Sequence, residues 1–205
     1  MTGPRRSPAL LGCLALVLGC TSNRAKDPRV LDAIPLRPEI AVTEAPYQRV
    51  VVDFKETLDL PYVYVEHQGS YDDMRDSVKR LIAALEAQEI EPQGPLFGLY
   101  YDDPKSLPQA SHVARIGVPV ELGTRAQAPL FGDRTGSRTV VYAVAAGEFG
   151  SGRRVLSALY QRMKDWGWVQ SGPVMEIYGF PAPGGPGEPE PRFLTEVQIP
   201  WQPTR

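Results

Sequence analysis

The chain has 205 residues, 42% apolar and 22% charged, with a formal net charge of −2. That length suits one full domain or two small lobes sharing a core, and the composition is that of a folded chain rather than a disordered one. The mild negative charge and scattered basic residues leave no stripe to follow a phosphate backbone, so no nucleic-acid partner is expected.

In chain order, Arg5 and Arg6 first precede the apolar run SPALLGCLALVLG, which ends at Cys20. The run is shorter than the roughly 17–25 apolar residues of a spanning helix, and it has the proportions of a secretory signal. Val17, Leu18, Gly19 and Cys20 resemble a bacterial lipobox. That resemblance implies a signal peptide over 1–19, lipidation at Cys20 and anchoring to a membrane by the lipid. Cys13 would leave with the signal. Thr21, in place of an aspartate, leans the reading toward an outer-membrane lipoprotein facing the periplasm. A signal cleaved without lipidation, or a disulfide between the two cysteines, are the alternatives. Residues 20–46 carry Pro28, Pro35, Pro38 and Pro46 and read as a tether, although part of IAVTEA remains able to pair as an edge strand.

From residue 61 the sequence repeats at an offset of 78. Without a gap, Val63 meets Val141, Tyr64 meets Tyr142, Gly69 meets Gly147 and Arg75 meets Arg153. Leu81 then meets Leu159, Gly94–Pro95 meets Gly172–Pro173, and Tyr100 meets Tyr178. With a small shift ARIGVPV matches TEVQIPW, which sets Arg115 against Glu196. A repeat of this length marks two copies of one supersecondary unit.

Each unit opens with a strand, 61–67 or 139–145, followed by a helix. Ser70 and Asp73 have capping-box spacing, and Met74, Val78, Leu81 and Leu85 form one apolar stripe. Val155, Leu156, Leu159 and Met163 supply the stripe of the second helix. Gly-Pro then stops each helix and leads into LFGLYY or VMEIYGF, and the last strands lie near 112–120 and 192–200. The order strand, helix, strand, strand, twice over, predicts an α+β fold with helices on one face of an antiparallel sheet.

Alternation on VMEIYGF places Val174, Glu176 and Tyr178 on one face, and on LFGLYY the equivalent face carries Leu96, Gly98 and Tyr100. One lobe offers a charge at Glu176 and the other offers space at Gly98. A carboxylate there either faces water from an open sheet or sits in a pocket, where it is costly unless paired. Glu196 poses the same question, and it shares its face with Gln198, opposite Thr195, Val197 and Ile199.

HQGSYDDM, GPLFGLYYDDP, ARIGVPV, GPVMEIYGF and TEVQIPW, in that order and duplicated, resemble the GyrI-like small-molecule-binding domain, the effector-binding module of some AraC-type and MerR-type regulators. The resemblance covers residues 47–201, as units of about 47–120 and 139–201, and leaves 202–205 as a tail. It implies tandem βαββ units, a pseudo-two-fold axis, two main helices and a central cleft for a hydrophobic, aromatic or cationic ligand. The family's glutamate-x-tyrosine strand falls on Glu176 and Tyr178, its late glutamate on Glu196, and its aromatic positions on Tyr71, Tyr100 and Tyr101. Phe97 points the other way and is expected in the core. The stretch AAGEFGSGRR departs from the family pattern, and no DNA-binding helices precede the domain, so the regulator role does not carry over. Some relatives hydrolyse strained electrophiles with the pocket glutamate and tyrosines, which leaves enzymatic activity open with no catalytic residue assigned.

A structural lipoprotein with a protein partner is the remaining reading. No cofactor is expected. His67 and His112 do not have the spacing of a zinc site, and neither GSGRR nor GGPGEP is a phosphate-loop or dinucleotide fingerprint.

Overall fold

The structure is a computed structural model that describes residues 43–44, 50–103, 108–147, 151–179 and 193–204. The expected signal peptide, Cys20 and most of the tether lie outside the described residues.

The repeated units form as an α+β fold. In the first, β3 (Pro61–Gln68) leads through a 3-10 turn (Tyr71–Asp73) into α1 (Met74–Ala87), then β4 (Leu96–Tyr100) and β5 (Val113–Pro119). In the second, β7 (Arg138–Gly147) leads through a 3-10 turn (Ser151–Val155) into α2 (Leu156–Asp165), then β9 (Val174–Gly179) and β10 (Phe193–Pro203). Ser70 does cap, but it caps the 3-10 turn, with its hydroxyl accepting from the Asp72 amide at 3.3 Å.

The remaining strands are β1 (Thr43–Glu44), β2 (Asp53–Thr57), β6 (Phe131–Arg134) and β8 (Trp168–Gln170). Together the described strands make one sheet in the order β1-β7-β10-β9-β4-β5-β3-β6, with β2 beside β7 and β8 beside β10. Every pairing is antiparallel except β1 on β7, which fulfils the edge pairing left open for IAVTEA.

Strand alternation divides the residues between two faces. Val63, Val65, Ile116, Val141 and Val197 face the helices, whose stripes bury Leu81 and Leu159 fully. The other face carries a second apolar cluster that includes Tyr62, Tyr64, Phe97 and Ile177, so Phe97 is core as expected. The Gly-Pro turns also gain a physical reason. A Cβ on Gly94 would lie 3.0 Å from Pro119 Cγ, and one on Gly172 would lie 3.4 Å from Pro200 Cγ. Each turn thus packs on the proline of its own last strand, which is why both features recur in both halves.

The sequence reading missed a fourth strand in each half. β2 precedes the first unit yet pairs with β7 of the second, setting Asp53 opposite Tyr142. β6 precedes the second unit yet pairs with β3 of the first, setting Phe131 opposite Tyr64. Residues 53 and 131, like 64 and 142, are separated by the repeat offset, so the two exchanges are equivalent. Each half lends its leading strand to the other.

The exchanged strands carry the polar contacts of the second face. Lys55 on β2 reaches Glu196 on β10, Nζ to Oε1 at 2.6 Å, with side-chain exposures of 6% and 1%. In the equivalent place on the other half, Asp133 on β6 pairs with Arg115 on β5 at 2.6 Å. The ion pairs are equivalent in position and opposite in polarity. Each cation also lies 4.4 Å from the centre of a tyrosine ring, Lys55 over Tyr142 and Arg115 over Tyr64. Glu196 is therefore buried rather than solvated, and its Oε2 has no hydrogen-bond partner among the described residues.

Removing one member of a buried pair strands the other charge, whereas a half-exposed pair is screened. Lys55→Ala is therefore expected to lower the urea-unfolding free energy by about 3–5 kcal/mol, and Asp133→Ala by about 1 kcal/mol or less. Lys55→Met combined with Glu196→Leu should recover most of the loss. Equal losses at the two single sites would contradict this account.

Candidate functional site

The site is built where the two halves meet. β4 and β9 pair antiparallel with Gly98 opposite Glu176 and Tyr100 opposite Val174. Because Gly98 and Glu176 are repeat mates, the pseudo-two-fold axis runs between them. The single carboxylate of VMEIYGF therefore stands on the axis of the molecule, on the helix-facing side of the sheet.

The space expected at Gly98 is occupied. A Cβ there would lie 2.9 Å from Cε2 of Tyr100, whose ring folds over the glycine. This brings Tyr100 to its own mate, and the two hydroxyls meet at 2.5 Å. Tyr178 donates onward to Glu176 Oε2 at 3.0 Å, so the shared proton between the phenols comes from Tyr100. A line of hydrogen bonds thus crosses the axis and ends on the carboxylate. The 3-10 turn before α2 roofs it: a Cβ on Gly152 would lie 2.8 Å from both Thr195 and Val197 and 3.4 Å from Glu176 Cδ. Any larger residue at 152 would push that roof off the sheet.

A cavity of about 590 Å³ opens beside the carboxylate. Tyr71, Tyr100, Tyr101, Leu156 and Tyr160 give its aromatic and apolar walls, with Glu176 among them and Asp102, Asp103 and Arg153 as the charged members. Tyr71 is buried edge-on to Tyr100, ring centres 4.9 Å apart, and its hydroxyl donates to the Val113 carbonyl at 2.9 Å. A second hollow of about 290 Å³ shares Tyr71, Tyr100 and Arg153 with the first and includes Tyr178.

Burial dominates the electrostatics. Glu176 is 1% exposed, and desolvation pushes its pKa up to about 7, against the opposing hydrogen bond from Tyr178 and the positive charge of Arg153. Burial also holds Tyr100 far above an ordinary phenol, helped by the Glu176 charge. It raises Tyr178 likewise, with Tyr100 and Glu176 adding to the effect. Among the described residues, no ion pair neutralises Glu176.

Of the sequence-derived candidates, Tyr71, Tyr100, Glu176 and Tyr178 converge here. Tyr101 joins at the outer wall, 43% exposed. Glu196 does not, because it sits on the opposite sheet face, held by Lys55 and by Gln198 Nε2 at 2.5 Å. His67 is engaged elsewhere, with its ring nitrogens 2.9 Å from Ser77 Oγ and from the Ser70 carbonyl. Cys20 lies outside the described residues. Arg153, Leu156 and Tyr160 were not anticipated as wall residues. Leu156 was assigned to the buried stripe, but it is half-buried and stands one turn before Tyr160, so the pair marks a second helix face beside Leu159 and Met163.

The sequence matches the model of the GyrI-like small molecule binding domain over residues 51–202. No curated protein matches it. Among solved structures, the C-terminal domain of EcmrR aligns with a TM-score of 0.62 at 15% identity, covering 76% of this chain and 99% of that one. EcmrR in complex with DNA aligns at 0.61 and 15% identity, covering 78% of this chain and 60% of that one. A hydrolase from Listeria innocua aligns at 0.54 and 12% identity, covering 79% and 100%. SAV2435 bound to tetraphenylphosphonium aligns at 0.50 and 12%, covering 74% and 94%. These structures overturn the expectation of an outer-membrane lipoprotein facing the periplasm, because EcmrR carries the same fold into a complex with DNA.

The raised Glu176 pKa has a consequence for stability. The folded state holds its proton to about 7, whereas the ordinary value is 4.5. Native protein then binds more protons than unfolded protein between those values, so stability falls as pH rises through them. The loss at full ionisation is on the order of 3 kcal/mol. From about pH 5 to about pH 8 the melting temperature of the wild type should fall relative to Glu176→Gln, with the variant the more stable at the upper end. Parallel profiles would show that Glu176 ionises without cost.

Proposed function

Because the chain belongs to the GyrI-like small molecule binding domain family, we propose that it captures a hydrophobic, aromatic or cationic small molecule in the cleft at Glu176. One observation carries this reading: a carboxylate 1% exposed, without a salt-bridge partner among the described residues, set in the wall of an aromatic cavity. A buried acid of this kind is costly to ionise until a positive guest arrives. Tyrosine faces add roughly 0.5–2 kcal/mol each against a cation, the larger value where water is excluded. The cavity volume of about 590 Å³ falls within the range of small-molecule sites. Tetraphenylphosphonium, the ligand in the SAV2435 structure, is a suitable probe.

A permanent cation draws Glu176 into its ionised form, so binding releases a proton wherever the empty site is protonated. Affinity is therefore expected to rise with pH and to level off above about 7. Isothermal titration of the full chain with tetraphenylphosphonium, in two buffers of different ionisation heat, measures both affinity and proton release. Glu176→Gln should weaken binding by about tenfold or more, equivalent to about 1.4 kcal/mol, and abolish the proton release. Equal binding by wild type and variant would remove Glu176 from the reading.

The pKa near 7 also favours a second reading, hydrolysis of an electrophilic small molecule. A carboxylate of that basicity suits a general base at neutral pH. The Tyr100 hydroxyl, in the cavity wall, would turn its proton from Tyr178 to the oxygen that gains charge, while Tyr178 keeps its bond to Glu176. Product formed by wild type and absent with Glu176→Gln supports this reading; turnover unchanged in the variant excludes it.

A further inference from the structure

The repeat places an arginine at the same position in both halves, but their surroundings differ. Arg75 is exposed on α1 and borders the smaller hollow alone. Arg153 leaves the 3-10 turn that roofs Glu176 and extends its guanidinium into the cleft, 5.2 Å from the centre of the Tyr71 ring and 5.7 Å from that of Tyr100. Both hollows count Tyr71, Tyr100 and Arg153 in their walls, so the guanidinium stands where the two meet. Its ion pair with Asp72 is 3.6 Å long, and the Asp72 side chain is 82% exposed. A contact of that length, open to solvent, is a weak restraint.

We propose that Arg153 is a built-in occupant of the cation position, a tethered competitor that an incoming aromatic cation must displace. This rests on the cation-capture reading above. In the empty protein the guanidinium rests on the two tyrosine faces and supplies positive charge near Glu176. A ligand that displaces it toward solvent takes over both faces and joins the two hollows.

The tether gives the site a threshold. A charged group on a short flexible arm competes at an effective concentration in the millimolar range. A small cation that offers the tyrosines no more than a guanidinium does stays out until its own concentration exceeds that value. A cation carrying several aromatic rings can also cover Leu156 and Tyr160 in the cavity wall, an apolar gain beyond that of a bare guanidinium, and it enters. Arg153 would thus select for bulk as well as charge, a role that neither Glu176 nor the tyrosines can fill.

The test is isothermal titration of the full chain as wild type, Arg153→Ala, Arg153→Met and Arg153→Lys, each with tetraphenylphosphonium and with methylguanidinium. Both uncharged variants should bind tetraphenylphosphonium about tenfold tighter or more than wild type, with the lysine variant close to wild type. Methylguanidinium should bind the uncharged variants and not the wild type. Tight binding by the alanine variant alone still supports displacement, since the methionine side chain can itself lie on the tyrosines. If wild type binds the phosphonium and both uncharged variants bind equally or more weakly, Arg153 is no competitor, and cation capture stands without it. If no form binds either cation, the capture reading fails and this proposal falls with it.

Discussion

The antiparallel pairing of β4 with β9 is the constraint on which the rest of the molecule depends. By setting Gly98 against Glu176, it makes the boundary between the halves the centre of the sheet rather than a seam between two bodies. It brings Tyr100 and Tyr178, separated by one repeat, within hydrogen-bonding distance. It also fixes what a single change in one copy can achieve. A side chain at an axial position meets its own counterpart, so two glutamates there would face each other at close range. With glycine on one side, the acid has room for a tyrosine ring and none for a second charge.

The same asymmetry recurs away from the axis. Duplication supplied equivalent places for an ion pair on the second face of the sheet, and the two halves fill them with inverted polarity: lysine on the exchanged strand and glutamate two strands away in one, aspartate and arginine in the other. One pair is buried and the other half-exposed, so equal geometry does not give equal energy. At the arginine positions, 75 and 153, one side chain is exposed and the other turns inward. Backbone symmetry is retained where strands pair, and it is broken where a side chain meets space or solvent.

Much of the frame was legible in the sequence because it rests on local rules. The stripe Met74, Leu81, Leu85 and the alternation through Glu176 and Tyr178 depend on neighbours a few residues away, and the repeat needs only the two halves laid side by side. The convergence of Tyr71, Tyr100, Glu176 and Tyr178 followed from those faces together with a family resemblance. What stayed hidden depends on distant partners. FKET gives no apolar alternation, since Lys55 is buried only because Glu196 awaits it 141 residues later. The face of Glu196 was correctly separated from that of Val197, but nothing local indicates that this face is closed to water. Gly98 read as vacancy because the ring that covers it belongs to a residue two places along. Arg153 read as the repeat mate of Arg75, and only the folded turn aims it inward.

The reciprocal loan of β2 and β6 has a consequence for the kind of molecule this is. Cut the chain between residues 120 and 130, and each fragment still holds a strand that completes the other's sheet. Neither fragment is whole by itself: each would carry an unsatisfied edge and an orphaned arm, and another copy of the same fragment would serve both needs. The architecture is that of two clasped partners joined end to end, and covalent linkage makes the clasp permanent while freeing each partner to vary alone.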